Sequence, residues 1–196
     1  MIQYTNIIKH ENIPFEEYLK LPGYSHSFLK RQRNGITEEL TMTDNIMLGK
    51  LVDAILTDTQ ADITHHLYPS AKKIAYELQR SFGSMLNLFE KQVSYTADIQ
   101  FGNFVMPTTG RLDYLLPKHA VIDLKVTQSK NVKQLIEFMG YENQLWHYSK
   151  GAQVKDAYIL IYSVPLKRSF ILPIDVSKDT NAFWEDMIIN FGKVAA

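Results

Sequence analysis

The chain has 196 residues, of which 21 are basic and 21 acidic, so its formal net charge is zero. A chain of this length fits one domain, and we expect residues 1–196 to form a single domain. The absence of cysteine excludes disulfides, zinc–thiolate sites and thiol nucleophiles, and is consistent with a reducing cytoplasm. No apolar run reaches the roughly 18 residues of a membrane span, and no signal-peptide pattern is present. We therefore expect a cytoplasmic protein without a membrane partner.

The balanced charge limits how the chain could bind nucleic acid. Proteins that bind nucleic acid through their overall charge are strongly basic, whereas this chain is neutral. Binding would have to come from a local basic patch, from metal ions or from an oligomer that assembles several patches. The clearest basic cluster is Lys30, Arg31 and Arg33 on one predicted helix. These cations are either a solvated helix face or a surface that contacts phosphates.

The N-terminal part of the chain is predicted to be helical after an irregular or extended arm at residues 1–12. Pro14 fits the first turn of a short helix. Ser25 is a candidate N-cap for a second helix, because its side chain can accept from a free backbone N–H. Serine caps also predict two successive helices farther along the chain, over about 70–80 and 81–91.

The helix predicted from Thr43 or Asp44 to about Thr57 contains two unusual residues. Gly49 lies inside it and costs roughly 1 kcal/mol relative to alanine, so we expect close packing or the approach of a ligand there. Asp53 follows one turn later, and the i, i+4 spacing puts both residues on the same face. Asp53 is either a carboxylate on the helix surface or a metal ligand.

The most informative stretch is predicted to form a hairpin of two strands, Arg111 to Leu116 and Ala120 to Val126. Asp123 and Lys125 are two positions apart, so they point to the same face of the second strand. Asp113 lies on the first strand. If the strands pair, the two carboxylates and the ammonium group converge, which suits a hard divalent cation with oxygen ligands.

The remaining elements complete the predicted architecture. A helix is expected to begin at Asn131, to break near Gly140 and to continue to Lys150. Gln144 and Tyr148 are spaced i, i+4 within it and therefore project from one face. The elements that follow are two strands and a helix, over 156–163, 168–174 and about 180–191. This order predicts an α/β or α+β sandwich built on a small mixed β-sheet flanked by helices.

These motifs resemble those of a known nuclease superfamily. Asp113 followed by Asp123-Leu124-Lys125 is similar to the catalytic signature of the PD-(D/E)XK nucleases. Gly110-Arg111-Leu112-Asp113 resembles the G-x-x-D strand of its RecB-like exonuclease branch, and Gln144 to Tyr148 resembles the Q-x-x-x-Y helix of that branch.

The N-terminal third resembles a narrower group, the RecE-like (exodeoxyribonuclease VIII type) exonucleases of phages and prophages. The segments that carry this resemblance are Tyr18–Lys30 and Leu48–Asp53, and the whole resemblance spans roughly residues 13 to 165. One residue departs from the pattern. Such proteins usually have histidine four positions after the helix glycine, here Gly49, and this chain has Asp53.

The resemblance implies roles for the candidate site residues. Lys125 would orient the attacking water or stabilise the charged transition state, and Gln144 and Tyr148 would position Lys125 or the DNA backbone. Mg²⁺, or Mn²⁺, would be held by three carboxylates and one backbone carbonyl, from Asp53, Asp113, Asp123 and Leu124. The candidates for contact with DNA are Lys30, Arg31, Arg33 and Arg111.

The fold implied by the resemblance is restriction-endonuclease-like, with a helical N-terminal part over about 13–91 and the catalytic sheet and helices over about 92–194. The implied function is that of a metal-dependent DNA exonuclease acting in phage or mobile-element recombination. Linear duplex DNA, a single-strand annealing protein and a second copy of the chain are the expected partners. The alternative is a catalytically impaired protein of the same fold that binds nucleic acid or a protein partner without cutting.

Overall fold

A computed structural model describes residues 1–11, 13–36, 42–178 and 181–195. In chain order the elements are β1 (Gln3–His10), α1 (Phe15–Tyr18), α2 (His26–Arg33), α3 (Asp44–Leu56), α4 (Tyr68–Leu86), β2 (Glu90–Phe101), β3 (Phe104–Leu116), β4 (Ala120–Thr127), α5 (Val132–Met139), α6 (Tyr141–Gly151), β5 (Asp156–Ser163), β6 (Arg168–Ile174), α7 (Ala182–Phe191) and β7 (Lys193–Val194). No helix in these ranges is long and apolar enough to cross a membrane.

The strands form one mixed sheet in the order β1-β2-β3-β4-β5-β6, and the short β7 pairs with β3. The β4–β5 pair is parallel, and the other pairs are antiparallel. Parallel neighbours need a crossover connection, and α5 and α6 supply it between β4 and β5. The structure therefore confirms the expected mixed α/β class, with a sheet flanked by helices and a helical N-terminal region.

The hydrophobic core lies on both faces of this sheet. Along β4, Val121 belongs to one buried cluster and Ile122 to the other, and Ile159 and Leu160 alternate in the same way along β5. These four side chains are at most 2% exposed. Strands covered on both faces are expected to be almost continuously apolar. The polar Asp123 and Lys125 interrupt this pattern on β4, which makes them the exceptions to explain.

The predicted hairpin is confirmed, and its pairing stops at the candidate site. β3 and β4 pair from Leu116↔Ala120 to Tyr114↔Ile122. Asp113 and Asp123 are the next residues beyond the last pair, where the two strands part. The opening is placed there because β4 continues along β5, while β3 continues along β2.

The predicted break in the helix after β4 is also confirmed. Asn131 caps α5 by accepting a hydrogen bond from the backbone N–H of Gln134 at 3.2 Å. Gly140 separates α5 from α6 with a φ of 64°. Glycine is favoured in this left-handed conformation because it has no Cβ to clash with the backbone. The break re-aims the chain so that α6 contacts β3, β4 and β5.

Three expectations about the elements need correction or limitation. Of the irregular or extended arm expected over 1–12, the extended alternative is confirmed for Gln3–His10, which pairs with β2 as an edge strand. The two helices expected over 70–91 are one helix, Tyr68–Leu86, whose buried face runs past the serines. The last helix was expected from about Thr180, which lies outside the described residues; the structure has it from Ala182.

His147 on α6 joins several elements of the core. The side chain is fully buried, and its Nδ1 lies 2.8 Å from the Tyr4 hydroxyl. Its ring stacks on Trp184 with centroids 4.2 Å apart. Its Nε2 lies 3.4 Å from both the Thr108 hydroxyl and the Thr109 carbonyl oxygen. Burial, reinforced by the nearby His26, lowers the pKa of His147 to about 3.

The lowered pKa of His147 predicts acid sensitivity. His147 takes up a proton more readily in the unfolded chain than in the folded one. Its contribution to stability is therefore complete above pH 6.5 and is lost as the pH falls towards 3. We expect His147→Gln to give a flatter dependence of the free energy of unfolding on pH between about 6.5 and 4. Urea denaturation across this range measures it, with the exposed His119→Gln as the control. An unchanged slope in His147→Gln would contradict the assignment.

Candidate active site

A large cleft lies where the N-terminal helices meet the open end of the β3–β4 hairpin. Its volume is about 1690 Å³, which exceeds the roughly 300–1,000 Å³ of sites for small molecules. Its walls come from α1, α3, the 58–63 loop and α6. All five side chains predicted to be catalytic, together with Asp53, line it, namely Asp53, Asp113, Asp123, Lys125, Gln144 and Tyr148.

Asp113 and Asp123 face this cleft from the ends of the paired segment. Oδ2 of Asp113 accepts a hydrogen bond from the backbone N–H of Leu124 at 2.7 Å. This bond crosses the opening between the strands in place of the lost strand pairing. Asp123 is only 3% exposed. Burying a carboxylate is costly unless a cation compensates it.

Lys125 supplies part of that compensation. Its ammonium group forms an ion pair with Asp123, as the shared strand face predicted. It also lies 3.4 Å from the backbone carbonyl oxygen of Leu124 and 5.4 Å from the centre of the Tyr141 ring. Burial alone would lower the pKa of Lys125, but Asp123 and Asp113 outweigh it and raise the pKa. Lys125 is therefore a cation in this environment and not a free base.

Asp53 lies on α3 and faces the same cleft. Both of its carboxylate oxygens accept from the side-chain amide of Gln92, at 2.9 and 3.1 Å. Burial, with repulsion from Asp123, raises the pKa of Asp53 to about 6, although Lys125 and Gln92 oppose the rise. Of the close packing or ligand approach expected at Gly49, the close packing is wrong, because no atom beyond its own stretch of helix lies within 4 Å of a Cβ placed there.

Gln92 is a site residue that the sequence reasoning missed. It accepts a hydrogen bond from Nε of Arg111 at 2.7 Å while donating to Asp53. The register Lys91↔Tyr114 and Val93↔Leu112 puts it opposite Asp113. Its φ of 54° turns the backbone out of the regular strand. No residue pattern marks this role, since it depends on the pairing of strands.

The site crowds three carboxyl groups together, of which Asp123 is buried and Asp53 and Asp113 are half-buried. The pKa of Asp113 is raised well above its ordinary value by burial and by repulsion from Asp53 and Asp123, although the Leu124 N–H opposes this. Within the described ranges, no three His, Cys, Asp or Glu side chains converge into a complete ligand set. A cation here would therefore need main-chain or solvent oxygens as well as carboxylates. Hard dications such as Mg²⁺ and Mn²⁺ prefer such oxygen donors, so the residues present fit that class of ion.

Gln144 and Tyr148 are brought together on the buried face of α6. The Gln144 amide donates to the Tyr148 hydroxyl at 2.9 Å, as their i, i+4 spacing allows. The pKa of Tyr148 is raised well above its ordinary value by burial and by the carboxylates of Asp123 and Asp113. Tyr148 is therefore a neutral phenol, which can donate a hydrogen bond into the cleft.

The four candidate DNA-contacting cations differ in their surroundings. Lys30 donates to the carbonyl oxygen of Met139 at 2.5 Å. Arg33 lies 3.4 Å from Asp186 and 5.3 Å from the centre of the Phe183 ring. Both cations therefore have partners within the protein. Arg31 and Arg111 line the cleft, and Arg111 also donates to Gln92 and to the Ile13 carbonyl oxygen.

The raised pKa of Asp53 predicts that its charge destabilises the protein. The penalty appears as the pH rises from about 4 and is complete above about 6. We expect Asp53→Asn, which keeps an oxygen for Gln92, to be more stable than the parent at pH 8 in EDTA by on the order of 1–2 kcal/mol. Denaturant unfolding at pH 8 and pH 4 measures it, with the exposed Asp156→Asn as the control. Equal stabilities of parent and Asp53→Asn at pH 8 would show that the charge of Asp53 does not destabilise the folded protein.

Comparison with known proteins gives a likeness of fold. No protein-family model matches the chain, and no curated protein matches it. A crystal structure of a provisionally assigned exonuclease from Eubacterium rectale is similar with a TM-score of 0.55 and 17% identity, over 89% of this chain and 72% of the other. A phage-related exonuclease from Haemophilus somnus 129PT is 14% identical with a TM-score of 0.39, over 91% and 89% of the two chains. The first likeness shows that this chain shares the fold of the Eubacterium rectale protein.

Proposed function

We propose that this protein is a metal-dependent nuclease that hydrolyses phosphodiester bonds, and that it degrades DNA from an end. The observation that carries the proposal is the meeting of Asp113, Asp123 and Lys125 in one large cleft where β3 and β4 part. The shared fold with a protein provisionally assigned as an exonuclease supports the nuclease class. The choice of DNA and of an end follows from the resemblance of the sequence to RecE-like exonucleases.

In this proposal Asp113 and Asp123, with the backbone carbonyl of Leu124, hold Mg²⁺ or Mn²⁺, and Asp53 is a further oxygen donor. A dication at such a site lowers the pKa of a bound water and offsets the charge that develops on the phosphate. The cluster of carboxylates is the physical reason to expect it, since their mutual repulsion favours any bound cation.

Lys125 is the cationic group of the reaction in this proposal. Its raised pKa keeps it protonated, so it does not take a proton from water. It instead stabilises negative charge on the phosphate oxygens, where a preorganised cation in a buried site is most effective. The ion pair with Asp123 and the contact with the Tyr141 ring hold the ammonium group in position.

Tyr148 and Gln144 orient the backbone of the substrate. The Tyr148 hydroxyl already accepts from Gln144, which leaves its own proton to donate. A phosphate oxygen in the cleft is the natural acceptor. Because Arg31 and Arg111 line the same cleft, they are the cations we assign to neighbouring phosphates.

The wider biological proposals rest on the sequence resemblance. We propose that the nuclease acts on linear duplex DNA in phage or mobile-element recombination, beside a single-strand annealing protein and as an oligomer. One observation favours a second candidate, a protein that binds nucleic acid or a partner without cutting. Each carboxylate of the site is tied to a different protein donor, from Leu124, Lys125 and Gln92. A weakly active or inactive site could keep those ties.

The decisive experiment is cleavage by the Lys125→Ala variant. We expect the purified parent to degrade linear duplex DNA with Mg²⁺, to leave covalently closed circles intact and to stop in EDTA. Lys125→Ala should lower the rate by at least about a hundredfold, since removing a preorganised charge-stabilising group costs several kcal/mol of barrier lowering. Lys155→Ala, an exposed lysine outside the cleft, is the control. Cleavage at the parent rate by a folded Lys125→Ala protein would remove the proposed role.

Metal binding is tested separately from cleavage. We expect Mg²⁺ or Mn²⁺ to raise the melting temperature in proportion to occupancy. The increase should shrink as the pH falls below about 6, because protons compete for Asp53. Asp113→Asn and Asp123→Asn should each weaken the effect, since a neutral amide is a poorer ligand for a hard dication.

Thermal melts and titration calorimetry measure both effects. Asp156→Asn, an exposed carboxylate at the start of β5, is the matched control. If Asp113→Asn and Asp123→Asn bind Mg²⁺ as tightly as the parent, these carboxylates are structural and the non-cutting candidate is favoured.

A further inference from the structure

Three exposed apolar residues line the cleft, and we call the part of it that they line the mouth. The first two are Phe15, on α1 and 47% exposed, and Leu19, just after α1 and 65% exposed. The third is Ile63, in the loop after α3 and 70% exposed, and all three line the cleft. Single exposed apolar residues are common on protein surfaces, but clusters of them mark sites of interaction. These residues are therefore candidates for contact with something that enters the cleft.

Cations flank the aromatic residue of this mouth. The ammonium group of Lys50 lies 5.9 Å from the centre of the Phe15 ring, and the guanidinium of Arg111 lies 5.8 Å from it. Arg111 is held in place, because it donates to the carbonyl oxygen of Ile13 at 3.1 Å and to Gln92 at 2.7 Å. The wall at α1 thus combines a partly exposed aromatic ring with two positive charges.

We propose that Phe15 stacks on an unstacked base of the strand that enters the cleft, while Lys50 and Arg111 contact the phosphates beside that base. Aromatic faces together with cations are the two elements by which proteins bind single-stranded nucleic acid. The bases inside a regular duplex are stacked on one another and offer only their edges. The substrate at this wall is therefore a single strand or the frayed end of a duplex.

The inference rests on the proposed nuclease function and deepens it by naming the form of the substrate. It also explains how a chain with zero net charge can bind nucleic acid, because stacking supplies affinity that does not depend on overall charge. A protein segment is expected to bind this wall less tightly than a nucleic acid does. The reason is that Lys50 and Arg111 lie beside the apolar residues and favour a polyanion.

The test places a fluorescent reporter at the wall. Phe15→Trp is introduced into the Lys125→Met background, with Mg²⁺ present and the oligonucleotide checked for cleavage on gels. The native Trp146 and Trp184 are at most 2% exposed, so they contribute a constant background. Phe138→Trp is the matched control, because Phe138 is 83% exposed on α5 and does not line the cleft.

We expect oligothymidine to quench the Phe15→Trp fluorescence, and an abasic oligomer of the same length not to do so. Neither oligomer should change the Phe138→Trp signal. Phe15→Ala should bind labelled oligothymidine about tenfold more weakly by anisotropy, as the loss of one stacked base predicts, and should bind the abasic oligomer as the parent does.

The outcomes separate this inference from the nuclease proposal. If oligothymidine binds by anisotropy but leaves Phe15→Trp unquenched, the stacking wall is wrong, while the nuclease proposal stands on its cleavage assay. Equal binding of oligothymidine by Phe15→Ala and the parent would overturn the stacking wall in the same way. If neither oligomer binds and the parent cuts no DNA, both the stacking wall and the nuclease proposal fail.

Discussion

The crowding of carboxylates where β3 and β4 part is the constraint on which the site depends. Each carboxylate is held by a different donor: Asp113 by the Leu124 N–H, Asp123 by Lys125 and Asp53 by Gln92. Three negative groups cannot share a buried cleft without such donors or a cation. The ion pair with Asp123 holds the ammonium group of Lys125 in place, and the hydrogen bond from Gln92 to Asp53 links β2 to α3. The electrostatics of the site and the packing of the N-terminal helices therefore depend on the same contacts.

Much of the fold could be predicted because its signals are local. The bounds of β5 and β6 agree with the expected 156–163 and 168–174, since alternating or continuous apolar runs bounded by turns identify strands. The segment of β1 was expected only as an irregular or extended arm, because its pairing depends on partners about 90 positions away, as the Asn6–Asp98 hydrogen bond shows with a separation of 92. The single helix α4 overrides its internal serines because Ala71, Leu78 and other residues bury a continuous face. Neither effect has a local signature.

Part of the candidate site could likewise be predicted from local patterns, and part could not. Asp113, Asp123 and Lys125 could be placed together because strand alternation and one hairpin decide their directions, and the structure brings them into one cleft. Gln92 and Tyr141 escaped notice because their contacts with Asp53 and Lys125 cross between elements. Gly49 shows a partial error, because of the two expectations for it, close packing or the approach of a ligand, the close packing is wrong. The space beside it is open, so the glycine leaves that part of α3 without a side chain.

The edge strand β1 has a consequence for how the cleft is assembled. Its pairing with β2 joins residues that are 84 (His10↔Ser94) to 97 (Gln3↔Gln100) positions apart. Such long-range closure is slow and entropically costly. The wall at α1 follows β1 directly in the chain and is tied to the sheet through the contact of Ile13 with Arg111. We expect the N-terminal segment to be the last part of the sheet to dock during folding. The amide hydrogens of β1 should accordingly exchange faster than those of the central strands β4 and β5, so that the cleft opens at this wall before the β3–β4 hairpin loosens.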